Sequence, residues 1–359
     1  MMMMEIVLLA AIATGILTGV WLYWSKKWHW FDRDDHEIKN RKRIPTSGGI
    51  AIFIGFWLIV FIRLGDLMFT QQYLGIFLAS LIVLITGLLD DCYELSPIQK
   101  MLGLFVASNV VFFVSNVTFS TTLLPHASPL VYQMLEYLFT IGWLLLVCNA
   151  INLIDGLDGL ATSTMVISLF ALVFITINFS LSIQLVLTTM LLTLLGALLG
   201  FLPFNWSPAK IYLGDTGALF IGFMYGVLTV SQLKNASFYS LFLPMILYAV
   251  PLFDTAFAII RRLIKRQKIT EGDNQHIHHR LLHLGLKEWQ VVLIMNVITI
   301  AFSGLAILTQ LFREWRQVIL MVIILMMISL AAWVLYISYK QRNNKQKGND
   351  YDREDSDNR

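Results

Sequence analysis

Four histidines lie within eight residues of one another in the segment DNQHIHHRLLH, residues 273–283: His276, His278, His279 and His283. The whole chain has seven histidines, so this segment holds more than half of them. Imidazoles gathered in this way can bind a metal ion, or they can donate hydrogen bonds to a phosphate group. A helix through the segment would place His276, His279 and His283 on one face and turn His278 away from it.

The spacing of these histidines does not favour zinc. His279 and His283 are separated like the two ligands of a metal-binding helix, but Arg280 stands where a zincin carries its glutamate. Both cysteines are far away in sequence, so zinc would need carboxylates from distant segments. The arginine and the many cations upstream favour an anionic ligand such as phosphate. We expect His276, His278 and His279 to contact that ligand and His283 to be a bystander.

Three further motifs place carboxylates at the ends of apolar stretches. GLLDDCYELSP carries Asp90 and Asp91, NLIDGLDGLA carries Asp155 and Asp158, and YLGDTGAL carries Asp215. Adjacent carboxylates repel each other and burial disfavours their charged forms, so a cation shared with a polyphosphate would explain them. Magnesium commonly uses one or two carboxylates and completes its shell with water and phosphate oxygens. The alternatives are a solvated loop for the first pair and a helix cap for Asp215.

A basic segment precedes the first of these motifs. RKRIPTSGG, residues 41–49, combines cations with two glycines that open an apolar helix. Helix N-termini attract phosphate, and the cations would add to the attraction. A simple membrane anchor explains the cations equally well.

The composition indicates that lipid surrounds the elements that position these residues. Hydrophobic residues make up 57% of the 359-residue chain and charged residues 14%, about half the usual charged fraction of a soluble protein. A span needs roughly 20 apolar residues. The first apolar segment lacks a basic n-region before it, so we interpret it as a retained membrane helix. The sequence predicts an all-α polytopic membrane protein with about eleven spans, near 5–23, 48–64, 72–89, 98–116, 132–150, 160–178, 182–202, 211–230, 238–260, 290–311 and 316–338.

The positive charges orient these spans. With the N-terminus outside and the C-terminus cytoplasmic, 22 of the 26 Lys and Arg residues fall inside. The polar clusters at 41–49, 87–97, 149–161, 203–219, 251–262 and 273–285 also fall inside, which predicts one cytoplasmic-facing site. We expect a membrane domain over residues 1–339 and a disordered cytoplasmic tail over 340–359.

Two other classes of protein compete with a membrane-bound transferase. A transporter would place its polar residues near the bilayer midplane and show related halves, whereas these acids lie at one edge of the spans. A membrane metallohydrolase would depend on the histidines alone.

The ordered motifs, over about residues 40–300, closely resemble the polyprenyl-phosphate N-acetylhexosamine-1-phosphate transferase family. NLIDGLDGLA, LGDTGAL and HIHH together carry this resemblance. It implies a bundle of ten or eleven helices with a cytoplasmic magnesium site. Glu94 occupies the place of a third aspartate that often completes the paired-acid motif, which leaves its role open.

The resemblance also assigns roles to individual residues. It implies Mg²⁺, with Mn²⁺ as an alternative, on Asp91 and Asp215. It places a catalytic set near the reacting phosphates: Asp90, Asp91, Asp215, His278 and His279. It assigns the nucleotide sugar, the uridine pocket and the neighbouring cleft to a second set: Arg41, Thr46, Asn152, Asp155, Asp158, Asn205, Tyr212 and His276.

The donor sugar is indicated by two motifs that disagree. RKRIPTSGG lacks the histidine common in the UDP-N-acetylglucosamine branch and resembles the muramoyl-pentapeptide branch. His-Ile-His-His followed by Arg-Leu-Leu resembles the N-acetylglucosamine branch, and we give it more weight.

The activity expected from the resemblance is therefore transfer of N-acetylglucosamine 1-phosphate from UDP-N-acetylglucosamine to undecaprenyl phosphate. UMP would be released, and the product lipid would start teichoic acid or another cell-wall polysaccharide. Phospho-N-acetylmuramoyl-pentapeptide transfer is the alternative. The expected location is the bacterial plasma membrane with the site on the cytoplasmic face. The expected partners are the two substrates, the bilayer and a second copy of the chain, with no nucleic acid.

Overall fold

The computed structural model describes residues 2–31, 44–119, 128–179, 185–232, 238–264 and 276–357, with side chains omitted at 232, 238–242, 263–264 and 338–357. This part of the chain contains no β-strand and is built from α-helices, with short 3-10 turns at Gly65–Phe69 and Arg313–Trp315. The helices are α1 (Met2–Lys27), α2 (Gly49–Leu64), α3 (Gln71–Tyr93), α4 (Pro97–Phe113), α5 (Pro129–Ile154), α6 (Leu160–Phe179), α7 (Leu185–Asn205), α8 (Gly214–Gln232), α9 (Phe238–Leu247), α10 (Ala249–Ile264), α11 (Ile277–His283), α12 (Glu288–Leu311) and α13 (Arg316–Asp357).

Eight of the helices that the structure describes are long and apolar enough to cross a membrane: α1, α2 with its 3-10 turn, α3, α5, α6, α7, α12 and α13. A spanning segment in lipid must satisfy its backbone internally, which is why apolar runs of this length fold as helices. The remaining predicted spans correspond to α4, α8 and the pair α9 and α10. The prediction of a polytopic all-helical membrane protein is confirmed at this level.

The stretch predicted as one span over 238–260 is interrupted and forms two helices. Helix α9 ends at Leu247 and α10 begins at Ala249. Pro251 has no N–H to offer to the carbonyl of Leu247, and its ring crowds that carbonyl. The Leu247 carbonyl instead accepts the Ser168 hydroxyl of α6 at 2.7 Å. A side chain of a neighbouring helix therefore replaces the lost backbone hydrogen bond.

Glycines allow the helices near the predicted site to pack in backbone contact. A Cβ atom on Gly49 of α2 would lie 2.2 Å from the Cα of Gly217 in α8, and one on Gly87 of α3 would lie 2.6 Å from the Cα of Thr216. Those distances exclude any side chain at either glycine unless the helices move apart. The first turn of α8 is thus held between α2 and α3.

The last helix, α13, continues to Asp357. Its backbone is helical through residues 340–357, whereas the composition of that segment predicts a disordered tail. The segment has no apolar periodicity, so a helix there extends α13 without an apolar face of its own to bury. The division into a membrane domain and a separate tail stays a prediction.

Candidate active site

Three of the predicted acids converge where α3 ends and α8 begins. Asp90 and Asp91 lie on the last turn of α3, and Asp215 lies on the first turn of α8. Gly87 lies one helical turn before the pair on α3, and its contact with α8 brings the two helix ends together. Residues more than 120 positions apart in sequence therefore form one cluster.

Asp91 holds the start of α8 in place. One of its carboxylate oxygens, Oδ1, accepts the backbone N–H of Asp215 at 2.8 Å. The other, Oδ2, accepts the hydroxyls of Ser47 at 2.7 Å and Thr216 at 2.6 Å. Gly214 has a φ of +68°, and a Cβ atom there would lie 2.6 Å from Asp91 Oδ2. The glycine before Asp215 thus supplies both the left-handed backbone and the space that this carboxylate needs.

A lysine that we did not predict lies between the other two acids. The Lys100 ammonium, on the first turn of α4, lies 2.5 Å from Asp90 Oδ2 and also contacts Asp215 Oδ2. The Asn152 amide, on α5, donates to Asp215 Oδ1 at 2.7 Å. Asp90 Oδ1 accepts the backbone N–H of Leu95 at 2.8 Å. Each acid of the cluster is therefore oriented by a separate element, and positive charge already lies between two of them.

This donor set suits a hard divalent cation. Carboxylate oxygens are the ligands that Mg²⁺ and Mn²⁺ prefer, and Lys100 shows that the cluster has room for positive charge between Asp90 and Asp215. Asp91 Oδ1 accepts the N–H of Asp215, and a carboxylate oxygen has a second lone pair that can accept a further contact. Within the described residues, no three His, Cys, Asp or Glu side chains form a ready-made metal cage. Magnesium sites commonly need fewer protein ligands than that.

The loop after α5 joins the acid cluster to the next segment of the site. Asp155 caps the end of α5, and its N–H donates to the Asn152 carbonyl at 3.3 Å. Asp158 Oδ2 accepts the N–H of Ala209 at 2.8 Å, which fastens the loop to residues 206–213. Gly159 adopts a φ of +74° directly afterwards. The structure thus places both predicted acids of this motif at the base of one loop.

The other predicted residues of the nucleotide cleft are distributed around that loop. Asn205 is buried, accepts the Thr162 hydroxyl at 2.8 Å and donates to the Ile211 carbonyl at 3.1 Å, so both ends of its amide are engaged within the protein. Thr46 is buried. It lies close to the start of α8, since a Cβ atom on Gly214 would lie 2.8 Å from the Thr46 hydroxyl oxygen. Tyr212 is partly buried and pairs through its backbone with residues 45 and 48. Arg41 lies outside the described residues.

The histidine segment is helical only from Ile277, so the arrangement that we predicted for it is wrong in one respect. His276 precedes α11 in an extended conformation, and the rings of His276 and His278 are parallel, with centroids 5.8 Å apart. His278, which a longer helix would have turned away, is therefore buried beside His276 and 4.2 Å from the ring of His279. His283 is exposed.

His278 packs against the loop that carries the two glycine-flanked acids. A Cβ atom on Gly156 would lie 2.5 Å from His278 Nε2. The imidazole is 1% exposed, and neither ring nitrogen has a hydrogen-bond partner among the described residues. Burial, together with the neighbouring His279 and His276, lowers the pKa of His278 to about 3, although Asp254 acts in the opposite direction. The ring is neutral at physiological pH and has an unused polar edge.

Asp254 of α10 orients the histidine segment, a role that we did not predict for it. Asp254 Oδ2 lies 3.0 Å from His276 Nδ1, and Oδ1 accepts the N–H of Ile277 at 3.0 Å. Asp254 and His276 are both buried. Arg280, in the middle of α11, donates to the carbonyl of Val334 in α13 at 3.2 Å. The short helix is thus fixed by α10 at its start and by α13 through Arg280.

Comparison with known proteins identifies what the chain is similar to. Residues 73–232 match the family model described as glycosyl transferase family 4. The chain is 34% identical over 315 residues to the probable undecaprenyl-phosphate N-acetylglucosaminyl 1-phosphate transferase of Bacillus subtilis, covering 84% of each chain. It is 27% identical over 316 residues to the undecaprenyl-phosphate alpha-N-acetylglucosaminyl 1-phosphate transferase of Thermotoga maritima, covering 88% of this chain and 94% of that one. It is also 27% identical over 319 residues to the phospho-N-acetylmuramoyl-pentapeptide-transferase of Staphylococcus aureus, covering 83% and 96% respectively.

Proposed function

Because the chain belongs to glycosyl transferase family 4, we propose that it transfers N-acetylglucosamine 1-phosphate from UDP-N-acetylglucosamine to undecaprenyl phosphate and releases UMP. One observation carries the proposal: Lys100 contacts both Asp90 and Asp215, and Asn152 donates to Asp215, so side chains from four different helices form one connected cluster. Such a cluster suits a reaction that brings two phosphate-bearing substrates together. The names of the relatives supply the substrates, and the His-Ile-His-His order favours N-acetylglucosamine as the sugar.

The nucleophile in this reaction needs little help to ionise. A phosphate monoester has a second pKa near 6, so the phosphate of undecaprenyl phosphate is largely a dianion at neutral pH. It attacks the sugar-bearing β-phosphorus of the donor, the bond to the bridging oxygen breaks, and UMP leaves with the electron pair. Asp90 is therefore not needed as a general base. Its carboxylate contributes electrostatically, by orienting Lys100.

The main obstacle is the repulsion between two anionic substrates. Lys100 supplies a positive charge at the cluster, and the orphaned edge of His278 offers a hydrogen bond from a neutral ring. A divalent cation held by Asp215 and Asp91, with Asp90 in reach, would supply Lewis-acid stabilisation of the charge on the phosphates. Asn152 donates to Asp215 Oδ1, Lys100 contacts Oδ2, and Asp91 accepts the backbone N–H of Asp215. These contacts keep the Asp215 carboxylate from turning away from the reacting groups.

The topology belongs to the same proposal. We assign eleven crossings, with α9 and α10 forming one of them, an outside N-terminus, and a site on the cytoplasmic face of the bacterial plasma membrane. The distribution of 22 of 26 Lys and Arg residues supports this orientation. Single cysteines at residues 66 and 346 test it, because an impermeant thiol reagent applied to intact cells should label the first and not the second. Labelling of residue 346 instead would show that the orientation is the opposite of the one proposed.

One assay tests the reaction. The purified full-length chain in nanodiscs is incubated with undecaprenyl phosphate, Mg²⁺ and radiolabelled UDP-N-acetylglucosamine, and both labelled lipid and UMP are measured. We expect equal amounts of the two products, and loss of both with Asp215→Asn at every Mg²⁺ concentration. Preferential use of UDP-N-acetylmuramoyl-pentapeptide would establish the alternative donor. Absence of a lipid product with either donor would overturn the proposed function and favour a transporter.

Three finer expectations remain proposals of the same kind. Mg²⁺, or Mn²⁺ in its place, is the cofactor, the chain pairs with a second copy, and the product lipid feeds teichoic acid or another cell-wall polysaccharide. Omitting the metal from the assay tests the first. Mass measurement of the particle in nanodiscs tests the second, and analysis of wall polymers after depletion of the protein tests the third.

A further inference from the structure

A chain of hydrogen bonds connects the segment after α1 to the acid cluster. The indole Nε1 of Trp30 donates to the Ser47 hydroxyl oxygen at 3.1 Å. The Ser47 hydroxyl in turn donates to Asp91 Oδ2 at 2.7 Å. An indole N–H can only donate and a carboxylate can only accept, so the direction of this chain is fixed at both ends.

Ser47 is built into this position at a conformational cost. It is fully buried, and its φ of +62° lies in the left-handed region that residues other than glycine rarely adopt. The turn is held by the next two residues, because Gly48 and Gly49 donate their N–H groups to the carbonyls of Tyr212 and Leu213. A strained residue with its hydroxyl on a catalytic acid indicates a selected role for that hydroxyl.

Trp30 is held in turn by Trp21 of α1. The two rings meet edge to face with centroids 6.2 Å apart. The indole Nε1 of Trp21 lies 3.4 Å from the carbonyl oxygen of Thr46, next to Ser47. Both tryptophans therefore direct their N–H groups at the turn that carries the serine.

We propose that Ser47 and Trp30 are positioning residues that act on the reaction through Asp91. The indole N–H polarises the serine hydroxyl, which strengthens the hydrogen bond from that hydroxyl to the carboxylate. Asp91, held in this way, fixes the N–H of Asp215 and so aims Asp215 at Lys100 and the substrates. This inference rests on the proposed function, but the structural part of it does not depend on the identity of the substrates.

Two substitutions isolate the two hydrogen bonds. Ser47→Gly removes the hydroxyl and accommodates a φ of +62° without strain. Trp30→Phe removes the N–H and keeps an aromatic ring beside Trp21. Trp28→Phe is the matched control, because Trp28 is two residues away, 59% exposed and outside the chain of hydrogen bonds.

The kinetic arm uses the transfer assay on the full-length chain. Since a hydrogen bond to a charged group is worth more than one between neutral groups, we expect kcat to fall about 10- to 100-fold for Ser47→Gly and about 2- to 10-fold for Trp30→Phe. The KM for the donor should change less than about twofold, because the side-chain hydrogen bonds of Trp30 and Ser47 lead to Asp91 and not to Asp155 or Asp158. The double variant should equal Ser47→Gly alone, and Trp28→Phe should match the wild type.

The second arm measures hydrogen exchange and does not need turnover. Asp91 protects the N–H of Asp215, so the peptide covering residues 213–218 should exchange at least about tenfold faster in Ser47→Gly than in the wild type. Trp28→Phe should leave that exchange unchanged. Absence of a lipid product from the wild type would overturn the proposed function. The hydrogen-exchange measurement would still show whether Ser47 acts on Asp215 through Asp91.

Two results would overturn the inference. The first is unchanged kcat and unchanged exchange in Ser47→Gly. The second is a Trp30→Phe effect of the same size with and without the serine hydroxyl, because Trp30 would then act through packing rather than through Ser47.

Discussion

Lys100→Met removes the positive charge between Asp90 and Asp215 and keeps an unbranched side chain of similar length. The ammonium lies 2.5 Å from Asp90 Oδ2, where the Coulomb attraction is roughly 7 kcal/mol at an effective dielectric constant of about 20. The three side chains keep 10% to 26% of their surface exposed, so water screens part of that attraction and desolvation offsets more. We therefore expect the free energy of unfolding to fall by about 2–3 kcal/mol without added metal.

The assay is denaturant unfolding of the purified chain in mixed micelles, followed by tryptophan fluorescence, with EDTA or with millimolar Mg²⁺. Magnesium should stabilise Lys100→Met more than the wild type, because a divalent cation on Asp215 and Asp91, with Asp90 in reach, would restore the positive charge that the variant lacks. Lys210→Met is the control. Its side chain is exposed, so its unfolding free energy should change by less than about 0.5 kcal/mol.

A Lys100→Met variant as stable as the wild type in EDTA would show that the two acids do not need a cation between them. Equal stabilisation of both proteins by Mg²⁺ would show that the metal binds elsewhere. Either result would refute the reasoning that a cation at the acid cluster offsets the repulsion between Asp90 and Asp215.

Three further predictions concern the histidine segment. Asp254→Asn weakens the contacts to His276 and α11, so the unfolding free energy should fall by about 2 kcal/mol in the same titration, and an unchanged value would contradict the role of Asp254. Gly156→Ala places a Cβ atom 2.5 Å from His278 Nε2, so transfer activity should fall at least about tenfold, and full activity would show that this contact is dispensable. Because the pKa of His278 is lowered to about 3 in the folded chain, the unfolded chain binds the extra proton as pH falls below about 6.5. The wild type should therefore lose about 2 kcal/mol more stability than His278→Gln between pH 7.5 and pH 5, and equal losses would contradict the burial of a neutral ring.

The helices themselves could be predicted from the sequence because bilayer thickness limits their length. The segment 48–64 is helix Gly49–Leu64 in the structure, and 160–178 is Leu160–Phe179. The interruption at 248 was not predicted, because hydropathy averages over a window and does not register one missing N–H. The proline at 251 was the available signal.

The acids of the candidate site could be predicted because charge is rare among apolar residues. The contact of Lys100 with the acids could not be predicted, since a single lysine near the end of a span usually reflects only the orientation of that span. The roles of Ser47 and Trp30 could not be predicted, because a hydroxyl and an indole are common side chains without a distinctive pattern. Only the fold brings Trp30 to Ser47, 17 residues further along the chain, and Ser47 to Asp91, 44 residues further along. Asn205 was predicted for the uridine pocket, and only the structure shows that both ends of its amide are already engaged.

The glycine contacts at the start of α8 determine which parts of the site are free to change over evolutionary time. With Gly49 and Gly87 against the first turn of α8, the acids cannot move apart unless three helices move together. In the loop at 206–213, by contrast, the side chains of Trp206 and Lys210 are exposed. New donor specificities should therefore arise by substitution at these exposed positions, while the phosphate chemistry of the acid cluster stays constant.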